Sequence, residues 1–404
     1  MPARRLLLLL CAASAANTCA IGAFPALLPE LAADVGLADW QAGLVAGAWG
    51  FARMTADVPV GLFITHHLRR ALALGPAILG AGALVLATGG ALPALLLGRW
   101  LMGTGHALTM LGSLTAILRH APPRAVASWL NALEFAAMLG MVSGVTLLSL
   151  LPRGLAWDAA YLVACAPIAA NVVFVPALLR ALPREPRGVG APLFARSATS
   201  GSDARVERRG GAPAMFAKGE PGGSAARLTR LAFVAGGAIA VSYASVEQFG
   251  IPIRSSREFG LDRVGIARLL LVAQVCDVLA LLPAGALADR HGAPRVLGVM
   301  LVVFATGVAL IGFGTLPLVV AGAVLFGLSM AGWMLPLSVL RAVTPPERVA
   351  WRTALYRVSV DGGIFLGPFV SGLVAGGGAR ALTVALTGTL GVVGVLLLRS
   401  SARP

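Results

Sequence analysis

The chain has 404 residues, of which 58% are hydrophobic and only 12% charged, with a mean hydropathy of +0.85. A soluble globular chain carries about 25% charged residues, so this composition excludes a water-soluble domain and indicates an integral membrane protein. The net charge of +15 does not signal nucleic acid, because the basic residues stand singly or in pairs between apolar runs, as they do in the loops on one side of a membrane protein.

In chain order, the first residues carry Arg4 and Arg5, an apolar stretch and an Ala-Ser-Ala, the layout of a secretory signal. The apolar run continues to Leu28, so it reads as an uncleaved first span over 6–28. About 20 mainly apolar residues cross a bilayer. Runs of that kind follow at 41–64, 71–91, 93–118, 125–150 and 157–179, making spans 2 to 6. The polar stretch 181–227 is rich in Gly, Ser, Arg and Pro; it reads as a flexible linker or as a regulatory, partner-binding segment. Spans 7 to 12 follow at 229–250, 264–287, 295–313, 316–340, 348–375 and 380–398. The expected fold class is an all-α integral membrane protein of twelve transmembrane helices. Its units are an N-terminal six-helix bundle (1–180), the linker (181–227) and a C-terminal six-helix bundle (228–404). The positive-inside rule places both termini in the cytoplasm. Cys11, Cys19, Cys165 and Cys276 all lie in apolar runs without metal or disulfide spacing and read as packing residues.

The halves repeat. Pro59-Val60-Gly61 at the end of span 2 recurs as Pro283-Ala284-Gly285 at the end of span 8, and Gly98 and Gly103 recur at the same separation as Gly322 and Gly327. Trp129-x-x-Ala132-Leu133 recurs as Trp351-x-x-Ala354-Leu355, and Gly36-Leu37 as Gly260-Leu261. Landmarks in one order at a nearly constant separation indicate a duplicated six-helix unit, the parallel-repeat plan of one large transporter class, with a cavity between the halves near the midplane.

Between spans 8 and 9 stands GALADRHGAPR, Gly285 to Arg295, and span 4 carries Gly98-Arg99-x-x-x-Gly103-x-Gly105. The first is similar to the G-x-L-A-D-R-x-G-R/K-R/K signature of the major facilitator superfamily, the second to its GR-x-x-x-G-x-G element. Apart from the linker, the whole chain resembles this superfamily in its bacterial, twelve-helix form, which implies alternating access between two rigid halves. Gly285 and Gly292 suit a very short helix link. For Asp289, Arg290 and Arg295 the resemblance implies a conformational latch; a tight polar turn is the alternative. The twin stretch, GLFITHHLRR at Gly61 to Arg70, has Thr65 and His66 where the acid and first base would stand.

Ionisable residues inside a membrane are expensive, about 2.5–3.5 kcal/mol at a helix centre, and are functional candidates by default. Here they are Arg53, Arg99, His106, Glu134, Glu247, Asp277, Arg357 and Asp361. Arg53 and Asp277 stand at equivalent positions of spans 2 and 8. The resemblance implies that these spans face spans 11 and 5 across the interface, which puts Arg53 beside Asp361 or Arg357 and Asp277 beside Glu134. Arg53 with Asp361 is the expected interdomain pair. Glu134 with Asp277 is the expected carboxylate couple able to share a proton, against the alternative that all are static packing pairs. For Arg99 the resemblance implies proton transfer; the alternative is a side chain reaching to the headgroups. The resemblance implies that faces of spans 1, 4, 7 and 10 turn to substrate, and these carry Asn17, His106, Tyr243, Glu247, Gln248 and Trp333; ordinary helix-packing contacts are the alternative.

Span 5 has Gly140-x-x-x-Gly144 but lacks the Gly-Pro of family antiporters; a comparable run, Gly363-x-x-x-Gly367-Pro368-x-x-x-Gly372, lies in span 11. Without an ATP-binding loop, nucleophile elbow or metal motif, neither an enzyme nor an ATP-driven pump is expected, and no cofactor or metal. The expectation is a monomeric, proton-coupled secondary transporter of a small organic solute in the bacterial inner membrane. Efflux is modestly favoured over import of an organic acid or similar metabolite, and a non-transporting receptor or scaffold is the third reading. Lipid, protons and a small-molecule substrate are the expected partners.

Overall fold

The computed structural model describes residues 2–122, 125–183 and 223–401. The expected linker therefore lies largely outside the described residues, although a helix already runs from Gly223, inside its expected boundary. Eleven described helices are long and apolar enough to cross a membrane, and no strand occurs among the described residues. They are α1 (Arg4–Val35), α2 (Asp39–Thr88), α3 (Leu92–His120), α4 (Ser128–Leu150), α5 (Trp157–Ala181), α6 (Ala225–Phe259), α7 (Arg263–His291), α8 (Ala293–Phe313), α9 (Leu316–Ala342), α10 (Trp351–Val374) and α11 (Ala379–Ser400). A 3-10 turn interrupts α5 at Ala166–Ala170, and a π-helical turn interrupts α6 at Ala244–Gly250.

Helix α2 is 50 residues long, about 75 Å at 1.5 Å per residue, more than twice a bilayer core of about 30 Å. It bends back on itself at His67, whose φ of −134° and ψ of 41° are not helical. Adjacent turns of α3 touch both of its arms. A Cβ at Gly103 would lie 2.6 Å from Ala52 Cβ, and one at Gly105 would lie 2.5 Å from Leu79 N. Expected spans 2 and 3 are thus the two arms, and the turn between them, at His67, falls inside the twin stretch Gly61 to Arg70. Arg69 closes the bend by donating to the carbonyls of Leu182 (3.2 Å) and Leu179 (2.5 Å), which α5 leaves free at its C-terminus.

The duplication reappears as packing. Gly36 (φ 71°) and its mate Gly260 (φ 61°) both end a helix in the left-handed conformation, which a side chain would strain. A Cβ at Gly98 would lie 2.7 Å from Leu86 N, and one at Gly322 would lie 2.9 Å from Gly307 O. Gly103 packs on Trp49 and Ala52, and its mate Gly327 packs on Ala273 and Cys276, which stand at the matching positions.

Within the first half, Thr18 Oγ1 donates to Ala137 O at 2.7 Å, and Gly140 and Gly144 bring α4 onto α1. A Cβ at Gly144 would fall on the Cys19 carbonyl, whereas nothing lies within 4 Å of one at Gly388. Gly144→Leu is expected to lower stability by about 1–3 kcal/mol through overpacking, read as a loss of several degrees in a thermal melt. Gly388→Leu is the control expected to melt like the native chain. The halves meet along two seams, α2 with α10 and α4 with α7. In the first, Gly43, Gly47 and Gly50 let α2 approach Phe365 and Pro368 closely.

Candidate functional site

Arg53, His106, Asp277 and Asp361 fall near the middle of their membrane-crossing segments, and all four face one cavity of about 270 Å³ between the halves. Glu134, Tyr243, Glu247, Trp333 and Arg357 face it too. Its wall continues through Met110, Leu114, Leu337 and Thr353 toward the molecular end that carries the termini.

On the α2–α10 seam, Arg53 Nη2 lies 2.8 Å from Asp361 Oδ1, the interdomain pairing expected from the sequence. The contact is close enough for an ion pair but outside hydrogen-bond alignment. Arg357 reaches away from its i,i+4 neighbour Asp361 to Asp57, 3.7 Å distant. Asp57 is four residues after Arg53 on the same face of α2, a spacing the sequence displayed and the search for mid-span charges passed over. The guanidinium of Arg53 also lies over Trp49, 4.7 Å from the ring centroid, and Trp49 in turn packs on His106 at 5.4 Å.

The opposite wall is built from α6, α7 and α9. Tyr243 sits edge-on to Trp333, with ring centroids 5.5 Å apart, and stacks on Phe326 at 6.5 Å. One turn further, Glu247 accepts a hydrogen bond of 3.1 Å from Gln274 Nε2. Asp277 lies beyond it, only 8% exposed, and its Oδ1 has no hydrogen-bond partner. Glu134 on α4 shares the cavity with Asp277. Both lining cations are engaged with Asp361 and Asp57, so Glu134, Glu247 and Asp277 have no ion-pair partner among the described residues.

Three sequence candidates lie elsewhere. Arg99 is 1% exposed, neither at the headgroups nor in the cavity. Its Nε and Nη2 donate to the carbonyls of Val45 (3.2 Å) and Ala46 (2.9 Å), and its guanidinium covers Phe24 at 3.9 Å. Through these two bonds it joins α3 to the first arm of α2, while its Nη1 has no hydrogen-bond partner. Arg99→Ala is therefore expected to lower thermal stability by several degrees while leaving transport per folded molecule within a few fold of native; a selective loss of transport in a normally folded variant would contradict this. Asn17 is 1% exposed and accepts from Asn171 Nδ2 at 3.0 Å. Gln248 is buried outside the cavity lining and contacts the Tyr243 hydroxyl at 3.4 Å. The π turn begins just after Tyr243; Tyr243 and Glu247 share the cavity face while Gln248 turns away.

At the expected latch, Gly292 links α7 to α8 at φ 85°. Gly285 is open to its surroundings. Asp289, Arg290 and Arg295 are exposed, and no ion pair to any of them occurs among the described residues. Beyond the Arg53–Asp361 and Arg357–Asp57 pairs of the cavity, the ion pairs that join the halves lie at the end opposite this loop. Arg263, 2% exposed, donates from Nη1 to Glu30 (2.9 Å) and to Leu155 O (3.1 Å), and from Nη2 to Pro152 O (3.0 Å). Arg153 pairs with Asp262 at 2.7 Å, and Arg257 forks onto the Asp39 carboxylate. In sequence these residues are indistinguishable from ordinary charges at helix ends.

The model of the Major Facilitator Superfamily matches residues 8–262 and 230–404. Comparison with curated protein sequences finds no match. Among solved structures, a point mutant of the nucleoside transporter NupG is similar with a TM-score of 0.73 at 16% identity, covering 98% of this chain and 99% of that one. The human organic anion transporter MFSD10 (TETRAN) gives 0.67 at 18% identity over 98% and 100% of the two chains. A POT family transporter in complex with 5-aminolevulinic acid gives 0.74 at 12% identity over 98% and 94%. At such identities the likeness is one of fold.

Proposed function

This chain belongs to the major facilitator superfamily and is a membrane transporter rather than an enzyme, and from that premise we propose that it moves a small organic solute by proton-coupled alternating access. The doubled-back α2 makes the eleven apolar helices twelve crossings, with both termini cytoplasmic in a bacterial inner membrane and the monomer as the working unit. The observation that carries proton coupling is the set of cavity-facing carboxylates outside any ion pair among the described residues, Glu134, Glu247 and Asp277. A carboxylate in such surroundings is cheaper neutral than charged, so it takes up a proton when isolated and gives it up when water or a cation reaches it. Arg53 with Asp361 and Arg357 with Asp57 cross the same seam and are re-paired as the halves rock. Asp289, Arg290 and Arg295 serve as the latch of the opposite state.

Efflux is favoured modestly. Import has one observation on its side: the Gly-Pro run absent from span 5 lies on α10, where Gly363 and Gly367 serve close packing against α6. The test is reconstitution in liposomes with an imposed pH gradient and a solute panel, followed by transport in inside-out vesicles to give direction. Solute flux that follows the gradient supports the reading; flux indifferent to it removes proton coupling, and no flux for any solute leaves the receptor or scaffold reading.

A further inference from the structure

The cavity's charges are not balanced, and the imbalance has chemical content. Its cations each already face an acid, Arg53 at 2.8 Å from Asp361 and Arg357 at 3.7 Å from Asp57, so a carboxylate or phosphate would have to compete with these side chains for positive charge. Its anions are in excess. The Glu247 carboxylate receives a neutral amide hydrogen from Gln274, and Asp277 Oδ1 receives no hydrogen at all while being 8% exposed. A buried acceptor without a donor costs free energy until something supplies one. Around these oxygens the wall is aromatic and soft: Tyr243, Phe326 and Trp333 stand beside Glu247 and Asp277, and Met138 and Met141 face them from α4. Ring faces attract a cation, and thioethers adapt to an apolar body of irregular shape.

We infer that the cavity is a binding site for a protonated amphiphilic amine, whose ammonium N–H groups satisfy Asp277 and Glu247 while its aromatic or aliphatic body lies against Tyr243, Phe326 and Trp333. The inference rests on the cavity being the transport site proposed above and names the substrate class it takes. An N–H-bearing cation fits better than a quaternary one, because the Asp277 oxygen lacks a hydrogen donor as well as a counter-charge. A hydrated inorganic ion fits worse, because the wall beside the carboxylates has few oxygens to replace its water. A zwitterion would need a free guanidinium at the α2–α10 seam, where both are paired.

The test is equilibrium binding to the purified full-length protein, by calorimetry, of four probes with one carbon skeleton: 4-phenylbutylamine, its N,N,N-trimethyl analogue, 4-phenylbutanol and 4-phenylbutyrate. The expected order is amine, then quaternary cation, then alcohol, with butyrate weakest and the amine at least tenfold tighter than the alcohol. Asp277→Asn is expected to remove most of the amine's advantage over the alcohol, and retained alcohol binding shows that the variant is folded. Glu247→Gln, which keeps the shape of the side chain, is expected to reduce the same advantage in part. Tightest binding of butyrate, equal binding of amine and alcohol by the native protein, or an Asp277→Asn variant that keeps the full preference would each overturn the inference. Binding is read without a gradient, so the two readings fail separately. Amine binding without gradient-driven flux removes proton-coupled transport and keeps the substrate class; gradient-driven flux of an acid with no amine preference does the reverse.

Discussion

Asp277→Asn is expected to reduce pH-gradient-driven transport by at least tenfold, and Glu134→Gln to do the same with a smaller loss. Asp277 is near the middle of α7, faces the cavity between the halves and has an oxygen without a hydrogen-bond partner, the placement that the proposed proton-coupled cycle requires. Asparagine keeps the volume and polarity but cannot bind or release a proton. Stability is expected to hold or rise, because a charge placed at the membrane centre costs about 2.5–3.5 kcal/mol on insertion scales and the amide carries none. The measurement pairs a thermal melt with liposome flux under an imposed gradient. A well-folded Asp277→Asn protein that still concentrates solute at the native rate would remove Asp277 from coupling and leave it a binding group only. Arg53→Gln acts differently: it strands Asp361, which is 1% exposed, beside a more distant Arg357. Loss of one partner of a buried pair is strongly destabilising, about 3–5 kcal/mol, so that variant is expected to fail in the melt before it fails in flux.

The second large effect belongs to Arg263. Its guanidinium makes three hydrogen bonds, to Glu30 and to the carbonyls of Pro152 and Leu155, and all three cross from the second half to the first. Hydrogen bonds to a charged group contribute about 1.5–3 kcal/mol each, and those that exist in only one arrangement of the halves bias the equilibrium between the two. Arg263→Gln is expected to shift the population toward the state open at that end by tenfold or more, read as a changed distance distribution between spin labels on the exposed residues Ala33 and Ala379, one in each half at that end. Asp289→Asn is expected to shift it far less in this arrangement, since no ion pair to Asp289 occurs among the described residues. Equal shifts from the two substitutions would mean that the motif loop and the clasp share the closing energy.

The distribution of legible and hidden features follows from physical range. Hydropathy is a sum over about 20 neighbours in sequence, and the spans, the duplication and the small-residue faces are all local or periodic, so they could be read directly. Gly36 and Gly260 matched in sequence because each ends a helix with positive φ, a requirement of the residue itself. Arg53 could be placed beside Asp361 because the repeat put both near mid-membrane and the family resemblance said which helices meet. The reversal between expected spans 2 and 3 was legible, because the polar stretch before Arg70 separates two apolar runs; its exact position at His67 was not, since no Pro or Gly marks it.

Arg99, Asn17 and Gln248 show the limit from the other side. Each is polar and near a substrate-facing helix, yet each spends its hydrogen bonds inside one half, on Val45 and Ala46, on Asn171 and on Tyr243. The direction of a side chain around a helix depends on register, and the π turn at Ala244–Gly250 alters the register of α6 just where the site is built. Gln274 was missed because nothing in the sequence marks it, and Asp57 was missed although it is an acid inside expected span 2; each acts through the partner that folding brings to it.

By itself the sequence determined that this is a membrane protein with repeated landmarks and with charges near the bilayer centre, because bilayer thickness and the cost of burying charge act on every residue independently of its neighbours in space. Only the tertiary structure decided which of those charges neutralise one another, which are left facing the cavity, and that the closing bonds sit at the Arg263 end rather than at the motif loop. Those are properties of pairs, and a pair exists only once the helices have packed.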